Sequence, residues 1–420
     1  MNDRPRVQSL LANTFYASIS AGSAAILLIL LTLAGRVLGD TDFGRFSFAL
    51  ALATIFETCI DFGLKEITSR SIARDRQTAH RLVANIFGLK LLLATGTMLA
   101  LVVVTRTLRA DPDVRIACYL LGGSAVLRSY LLTVRHLLTG LERFELESLV
   151  VVADRLLLLG LGAGALFLGY GLIGLCVAFV TARIVAVGLA YALAVSQLGR
   201  IRPCFDVGFW RDLQLRALPF GAFAIVLYVY SYIDTIMLGV LQGDIETGLY
   251  NAAYRIYEGV SNIPSMLHLV LLPRLARYFV TDPEQHRRLA RLGVGVATLL
   301  AIPASLLVFL LSPAIVTALF GVTFQPASGV LQILAVGLLF VFPLFVLHAE
   351  AIAADEGRAL LRTGVIGCTV NIALNGALIP AYGMYGAAAA TVTGELVSVA
   401  ILAYWLRRRP GPSEPPVPPA

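Results

Sequence analysis

The residues of this chain that could do chemistry are few, and almost all are set in apolar sequence. Lys90, Arg128, Arg135, Asp154, Arg155 and Arg183 fall within or beside apolar runs of the first half, with Glu57 as the main acidic member. In the second half the same is true of Asp234, Arg255, Glu258 and Glu395. Guanidinium groups offer paired donors to phosphate oxygens and an ammonium supplies a point charge, so the basic surplus of the first half suits an anionic ligand. Lys90, Arg128, Arg183, Asp234, Arg255 and Glu258 are therefore the candidates for contact with a substrate. Glu57, Asp234 and Glu395 are the candidates for a coupled step in which a carboxylate changes charge. A plainer reading stands beside each. Arg255 and Glu258, at i and i+3 on one helical face, or Arg255 and Asp234, would form an ion pair that fixes packing, while Lys90, Arg128 and Arg135 would snorkel to a nearby interface.

Other chemistry finds little support. His80, His136, His268, His286 and His348 form no HExxH arrangement, and the chain has neither a GxxxxGK[ST] loop nor a GxGxxG after a strand. Cys59, Cys118, Cys176, Cys204 and Cys368 are scattered without metal or redox spacing. No metal, cofactor or ATP hydrolysis is expected, and H+ and Na+ stay open as coupling ions.

The elements that must position these groups are membrane helices. Hydrophobic residues make up 58% of the chain and charged ones 14%, against about 25% charged in soluble domains, and the mean hydropathy is +0.81. About twelve apolar runs are long enough to cross about 30 Å of hydrocarbon as helices: Leu11–Leu33, Phe43–Ile60, Leu82–Val104, Val114–Leu138, Leu149–Leu168, Leu172–Val195, Leu213–Gly239, Gly248–Leu272, Leu289–Leu311, Ala327–Ala349, Leu360–Ile379 and Met384–Leu406. Charge placement sets their direction. With the N-terminus inside, only Arg36, Arg45, Arg106, Arg109 and Arg115 fall in outer loops, and the remaining loop cations lie on the cytoplasmic side, as the positive-inside rule requires. Both termini are then cytoplasmic. This accounts for the net charge of +7 without a nucleic-acid partner. The first run is too long and lacks the cleavage site of a removed signal peptide. The Pro-rich tail, 410–420, is too poor in apolar residues to pack and is expected to be disordered.

A polar segment from Gln197 to Leu213 divides the runs into two sets of six, 1–196 and 197–409. Similarities recur at equivalent places in both. Gly39-Asp40-Thr41-Asp42-Phe43-Gly44 is answered by Gly243-Asp244-Ile245-Glu246-Thr247-Gly248, and Tyr170-Gly171-Leu172-Ile173-Gly174 by Tyr382-Gly383-Met384-Tyr385-Gly386. Repeated halves suggest two bundles with a substrate route between them. Pro219, Pro264, Pro303 and Pro343 fall inside runs, and Pro219 with Gly221 is the candidate hinge.

Arg36-Val37-Leu38-Gly39, leading through Phe43-Gly44-Arg45-Phe46 to Asp61-Phe62-Gly63-Leu64 and Arg70, resembles the opening of the polysaccharide-biosynthesis flippases of the O-antigen and teichoic-acid type. These belong to the multidrug/oligosaccharidyl-lipid/polysaccharide exporter superfamily. Tyr232-Ile233-Asp234-Thr235-Ile236-Met237-Leu238-Gly239, followed by Gly248-Leu249-Tyr250-Asn251-Ala252-Ala253-Tyr254-Arg255, is similar as well. The resemblance implies an all-α polytopic protein with about twelve transmembrane helices in two six-helix lobes. It implies a secondary transporter, not an enzyme, that moves an undecaprenyl-type or other polyprenyl diphosphate-linked oligosaccharide from the cytoplasmic to the outer leaflet of a bacterial or archaeal cytoplasmic membrane. Its partners would be lipid-linked oligosaccharide, membrane lipids, and the polymerase and glycosyltransferases of the same pathway, with the chain itself a monomer. Two alternatives remain open. A multidrug or other amphipathic-solute exporter shares the superfamily's lobes but calls for an acidic cavity. A membrane-bound transferase calls for clustered carboxylates or histidines, and Asp61, Asp75, Asp111 and Asp113 show no convergent motif.

Overall fold

A computed structural model describes residues 22–408 of the chain. The start of the Leu11–Leu33 run, Arg409 and the 410–420 tail lie outside the described residues. Every regular element among the described residues is helical. The first seven are α1 (Ala24–Asp61), α2 (Leu64–Arg74), α3 (Ala79–Leu108), α4 (Pro112–Gly140), α5 (Phe144–Phe167), α6 (Gly171–Leu198) and α7 (Val207–Leu241). They are followed by α8 (Asp244–Ser261), α9 (Ser265–Thr281), α10 (Pro283–Phe320), α11 (Ala327–Ala353) and α12 (Gly357–Arg408).

Local sequence sets several of these boundaries. Asp111-Pro112 and Asp282-Pro283 each start a helix in the same way. Proline occupies a first-turn position that needs no N–H donor, and the aspartate side chain accepts from the amide of Asp113 in one case and from those of Glu284 and Gln285 in the other. Glycine sets the reversals. As one rod, the 52 residues of α12 would be about 78 Å long at 1.5 Å per residue, far more than a bilayer core. Gly383 interrupts them at φ 55°, ψ −133°. A Cβ on Gly386 would lie 2.5 Å from the Leu378 carbonyl oxygen, whereas eight residues of straight helix would separate the two by about 12 Å. The chain therefore doubles back, and α12 is two arms, 357–382 and 384–408. Gly39 interrupts α1 in a similar way at φ 78°, ψ 178°.

By length and composition, eight helices among the described residues can cross a membrane, or nine if the bent pair α1 and α2 counts as one span. Two of the expected runs, 360–379 and 384–406, are the arms of α12. The expected continuous span Gly248–Leu272 is not formed. It breaks between Ser261 and Ser265, where Pro264 sits just ahead of α9 and has no N–H with which to continue a helix. The basic segment after Gly63, read from sequence as a loop, is instead the amphipathic helix α2, which buries Leu64, Ile67, Thr68 and Ile72. Pro219, Pro303 and Pro343 do lie inside helices.

The described residues fall into two compact units that part after Val240, one helix beyond the polar segment at which the sequence reading divides the chain. In the first unit, α6 presents Ala182, Ala186, Ala190 and Ala194, all fully buried, a small-residue stripe that lets neighbouring helices approach closely. The segment before α7 is strapped to α3. The Cys204 amide donates to the Ala84 carbonyl at 2.9 Å and the Trp210 indole to the Asn85 carbonyl at 3.0 Å. Asp206 caps α7, where the Phe209 amide, helped by the Arg81 guanidinium, holds its carboxyl below the usual carboxylate range. In the second unit α10 and α11 are joined by serines, Ser305 to the Ala335 carbonyl at 2.8 Å and Ser312 to the Ser328 carbonyl at 3.0 Å. The opposite face of α10 exposes Leu299, Leu306 and Leu310, as a lipid-facing surface would.

A close backbone contact in the first unit joins the candidate hinge to the break between α1 and α2. Phe62 and Gly63 both have positive φ, 35° and 76°. A Cβ on Gly221 would meet the Phe62 carbonyl oxygen at 2.8 Å, and one on Gly63 the Gly221 nitrogen at 2.7 Å. Gly63→Ala or Gly221→Ala should therefore force α7 away from this break and destabilise the folded protein by about 1–3 kcal/mol. The check is thermal unfolding of purified protein, with Gly295→Ala, whose Cβ would meet nothing within 4 Å, as the variant expected to leave the midpoint unchanged.

Candidate functional site

The paired intramembrane charges of the first unit come from α1, α3, α4, α5 and α6. On α1, Thr54, Glu57, Thr58 and Asp61 share one face through i, i+3, i+4 and i+7 spacing. Glu57 and Asp61 are both buried, and each meets a cation from a different helix. Lys90 of α3 is fully buried and uses its ammonium group completely, donating to Asp61 Oδ1 at 2.8 Å, to the Ser129 carbonyl at 2.8 Å and to Ser129 Oγ at 2.7 Å. Arg128 of α4, the neighbour of Ser129, donates to Glu57 Oε2 at 3.0 Å. Its side chain is 31% exposed, against 0% for Lys90.

Further pairs extend the cluster across α4, α5 and α6. Arg183 donates to Asp154 with both side chains buried. Arg135 grips one oxygen of Glu147 through Nε at 3.0 Å and Nη2 at 2.6 Å. The adjacent Asp154 and Arg155 do not pair with each other, and the Arg155 Nε is buried without a hydrogen-bond partner among the described residues. The basic surplus read from sequence is thus largely matched by carboxylates, and Arg155 carries the remainder.

Glu57 and Asp61 also line a cavity of about 20 Å³ with Thr54, Thr58, Gly63, Lys65, Leu132, Ala224 and Tyr228. That is room for about one water molecule. Tyr228 stacks on Tyr232 one turn along α7, with ring centroids 6.3 Å apart and planes 5° from parallel. Candidate Asp234, further along α7, is 3% exposed. Sequence reasoning set Asp61 aside and did not single out Ser129. The one signal for Asp61 was its position four residues after Glu57, and Ser129 shows itself only when α3 and α4 are packed.

In the second unit α8 and the second arm of α12 share a polar seam. The Glu246 carboxylate accepts from the Met384 amide at 2.8 Å, capping the arm where it begins. Tyr250 meets Thr391 at 3.2 Å and the Tyr257 hydroxyl donates to Glu395. Gly337 of α11 makes room for that carboxylate, since a Cβ there would lie 2.5 Å from Glu395 Oε2. Candidates Arg255 and Glu258 form the expected i, i+3 pair at 2.6 Å, with Arg255 nearly buried and the Glu258 side chain 42% exposed. Tyr250, Tyr254 and Tyr257 pack on one another at 5.8 Å. The structure thus joins two sequence motifs that had been read only as repeats. Glu246 of the first secures Gly383-Met384 of the second, and a side chain at Gly383 would run into the Glu246 carboxylate.

Chemically, the cluster is a set of charge pairs within membrane helices, two of them with a carboxylate lining a water-sized cavity. No group of three or more potential metal ligands gathers among the described residues.

Comparison with known proteins agrees with this picture. The sequence profile of the family described as polysaccharide biosynthesis protein matches residues 10–279, and that of the lipid II flippase MurJ matches residues 218–415. A probable low-salt glycan biosynthesis flippase of Haloferax volcanii is 24% identical over 409 residues, covering 96% of this chain and 83% of the relative. Among solved structures, the lipid II flippase MurJ in an inward closed conformation superposes with a TM-score of 0.76 at 13% identity, over 94% of this chain and 88% of that one. An inward-facing multidrug resistance MATE family transporter of the MOP superfamily gives 0.71 at 16% identity, over 94% and 97%. The profile match spans more than half of the sequence, and the helices, the intramembrane charges and the superposed fold agree with it: the chain belongs to the polysaccharide biosynthesis protein family of the exporter superfamily and is a multi-pass membrane transporter rather than an enzyme.

Proposed function

We propose that the chain flips a polyprenyl diphosphate-linked oligosaccharide from the cytoplasmic to the outer leaflet of the cytoplasmic membrane, by alternating access and without ATP. The family and its glycan-flippase relatives support the substrate class. The observation that carries the mechanism is the contrast between the pairs of the first unit. Lys90 is buried with every donor met, Arg183 is buried against Asp154, and both serve as scaffold. Arg128 is partly exposed, is held by Glu57, and lies one helix position from the Ser129 that fixes Lys90. A diphosphate is a stronger bidentate acceptor than one carboxylate oxygen, so it takes the Arg128 guanidinium from Glu57 as the head group enters. The released Glu57 is then free to accept a proton or a cation, which makes it the coupling carboxylate of choice. Asp234 and Glu395 keep the same candidate role, and Arg255 with Glu258 is the corresponding candidate for substrate contact in the second unit. Pro219 and Gly221, seated on the α1–α2 break, form the hinge about which α7 moves. An undecaprenyl-type carrier and cytoplasmic termini complete the proposal.

Two outcomes test it. Arg128→Gln should retain folded protein and slow translocation of a defined lipid-linked oligosaccharide in vesicles by at least about tenfold, the loss of one charge-assisted pair. Lys90→Met should instead lower stability by about 3–5 kcal/mol, because it strands a buried carboxylate, and Lys90→Met combined with Asp61→Asn should recover most of that loss. Equal translocation by Arg128→Gln and the parent would reject the assignment.

Orientation is tested separately. Ile245, beside the Glu246 cap at the Gly383 turn, and Arg358, at the far end of the first arm of α12, are both exposed. Cysteines placed there should label from opposite sides of the membrane, with Arg358→Cys on the cytoplasmic side. Labelling of both from one side contradicts the topology.

A further inference from the structure

A crevice of the second unit is lined by cations that the flipping reaction does not use. It opens where α10 begins and where α11 and α12 end, with a volume of about 660 Å³, within the range of small-molecule sites. Arg287 and Arg291, one turn apart on α10, and Arg407, at the end of α12, stand at its rim and are exposed. Arg291 Nε donates to the Arg287 carbonyl at 3.3 Å, which fixes one guanidinium against its own helix. The one carboxylate in the lining is Glu350 of α11, and it lies 3.8 Å from the buried His286 imidazole. No ion pair joins Glu350 to any of the three arginines among the described residues. Below the rim the walls are apolar, Leu347, Val399 and Leu406 among them.

Three guanidiniums above an apolar slot match an amphiphile with an anionic head. We propose that this crevice is a binding site for an anionic membrane phospholipid of the leaflet at that end of the bundle. Its phosphate is held by Arg287, Arg291 and Arg407, and its upper acyl carbons lie against Leu347, Val399 and Leu406. Charge selects the occupant, since a zwitterionic headgroup brings a cation to a rim that already carries three. The walls select a lipid over a free phosphate, because a soluble anion leaves the slot unfilled. Bound there, the lipid bridges α10, α11 and the second arm of α12, so it stabilises the second unit by mass action. This site stands whatever glycan the protein carries.

The test uses the purified full chain in detergent, titrated with dioleoylphosphatidylglycerol or dioleoylphosphatidylcholine and read by native mass spectrometry and thermal unfolding. One phosphatidylglycerol per chain should be retained at least about tenfold more tightly than phosphatidylcholine, with a rise in unfolding temperature. The variant Arg287→Gln/Arg291→Gln/Arg407→Gln should lose that preference. The variant Arg277→Gln/Arg288→Gln/Arg358→Gln, which removes the same charge from exposed positions outside the crevice, should keep it. Ala403→Trp fills the slot while leaving every charge in place, and should lose retention too; it decides the matter if the triple crevice variant does not fold. Equal loss in the control triple variant would reduce the effect to diffuse surface charge and overturn the site. Competition by glycerol phosphate at the lipid's own concentration would make the site one for soluble phosphate, which also overturns the proposal. Phosphatidylglycerol binding that emerges only after deletion of 410–420 would identify that tail as the occupant and overturn it equally.

Discussion

The interaction on which the first unit depends is the burial of the Lys90 ammonium against Asp61 and Ser129. A charge near the centre of a bilayer costs about 2.5–3.5 kcal/mol even on lenient insertion scales, so a fully buried lysine persists only where every donor is met. Meeting all three donors ties α1, α3 and α4 to one point. The same point sets the position of the preceding residue on α4, Arg128, and of the previous turn of α1, Glu57. The partly exposed Arg128 and its buried partner Glu57 are therefore placed by the Lys90 pair. Asp154 with Arg183 is a second buried pair, between α5 and α6, although the Arg183 Nε has no hydrogen-bond partner among the described residues. Buried ion pairs of this kind add little net stability compared with apolar packing, yet they are costly to break singly, so they fix geometry more than they add to folding energy.

Backbone approach supplies the second constraint. Gly63 and Gly221 let the α1–α2 break touch α7, and this contact lies in the wall of the small cavity beside Glu57 and Asp61, which Gly63 and Ala224 both line. A movement of α7 about Pro219 therefore reaches that cavity directly. In the second unit Gly383 has the corresponding duty, a reversal that lets Glu246 cap the next helix arm. Glycine thus determines where helices turn, and charge pairs determine which faces meet.

Much of this was legible in sequence. Composition and run length specify a helical membrane protein, and the spacing of Arg255 and Glu258 foretells their pair. These are local properties, read along one helix. The partners of Lys90 and Arg183 were not legible, because they come from other helices and depend on packing. Asp61 looked idle for that reason. The break at Pro264 was hidden by the apolar residues on both sides of it, which gave the run the length of a span. Helix α2 was hidden by its charge, although Leu64, Ile67, Thr68 and Ile72 keep a helical spacing. The grouping of α7 with the first unit accompanies contacts such as Gly63–Gly221 and Trp210–Asn85, and no pattern in α7 itself announces it.

The central claim is that Glu57 holds Arg128 in the place a diphosphate takes. If it does, the carboxylate competes with substrate, and removing its charge should strengthen binding. The most direct measurement is the affinity of the purified chain for a polyprenyl diphosphate, compared between the parent, Glu57→Gln and Asp154→Asn. The account predicts tighter binding for Glu57→Gln by about tenfold, the value of one released charge-assisted pair, and no gain for Asp154→Asn, whose arginine stays buried. Unchanged or weaker binding by Glu57→Gln in folded protein would contradict it.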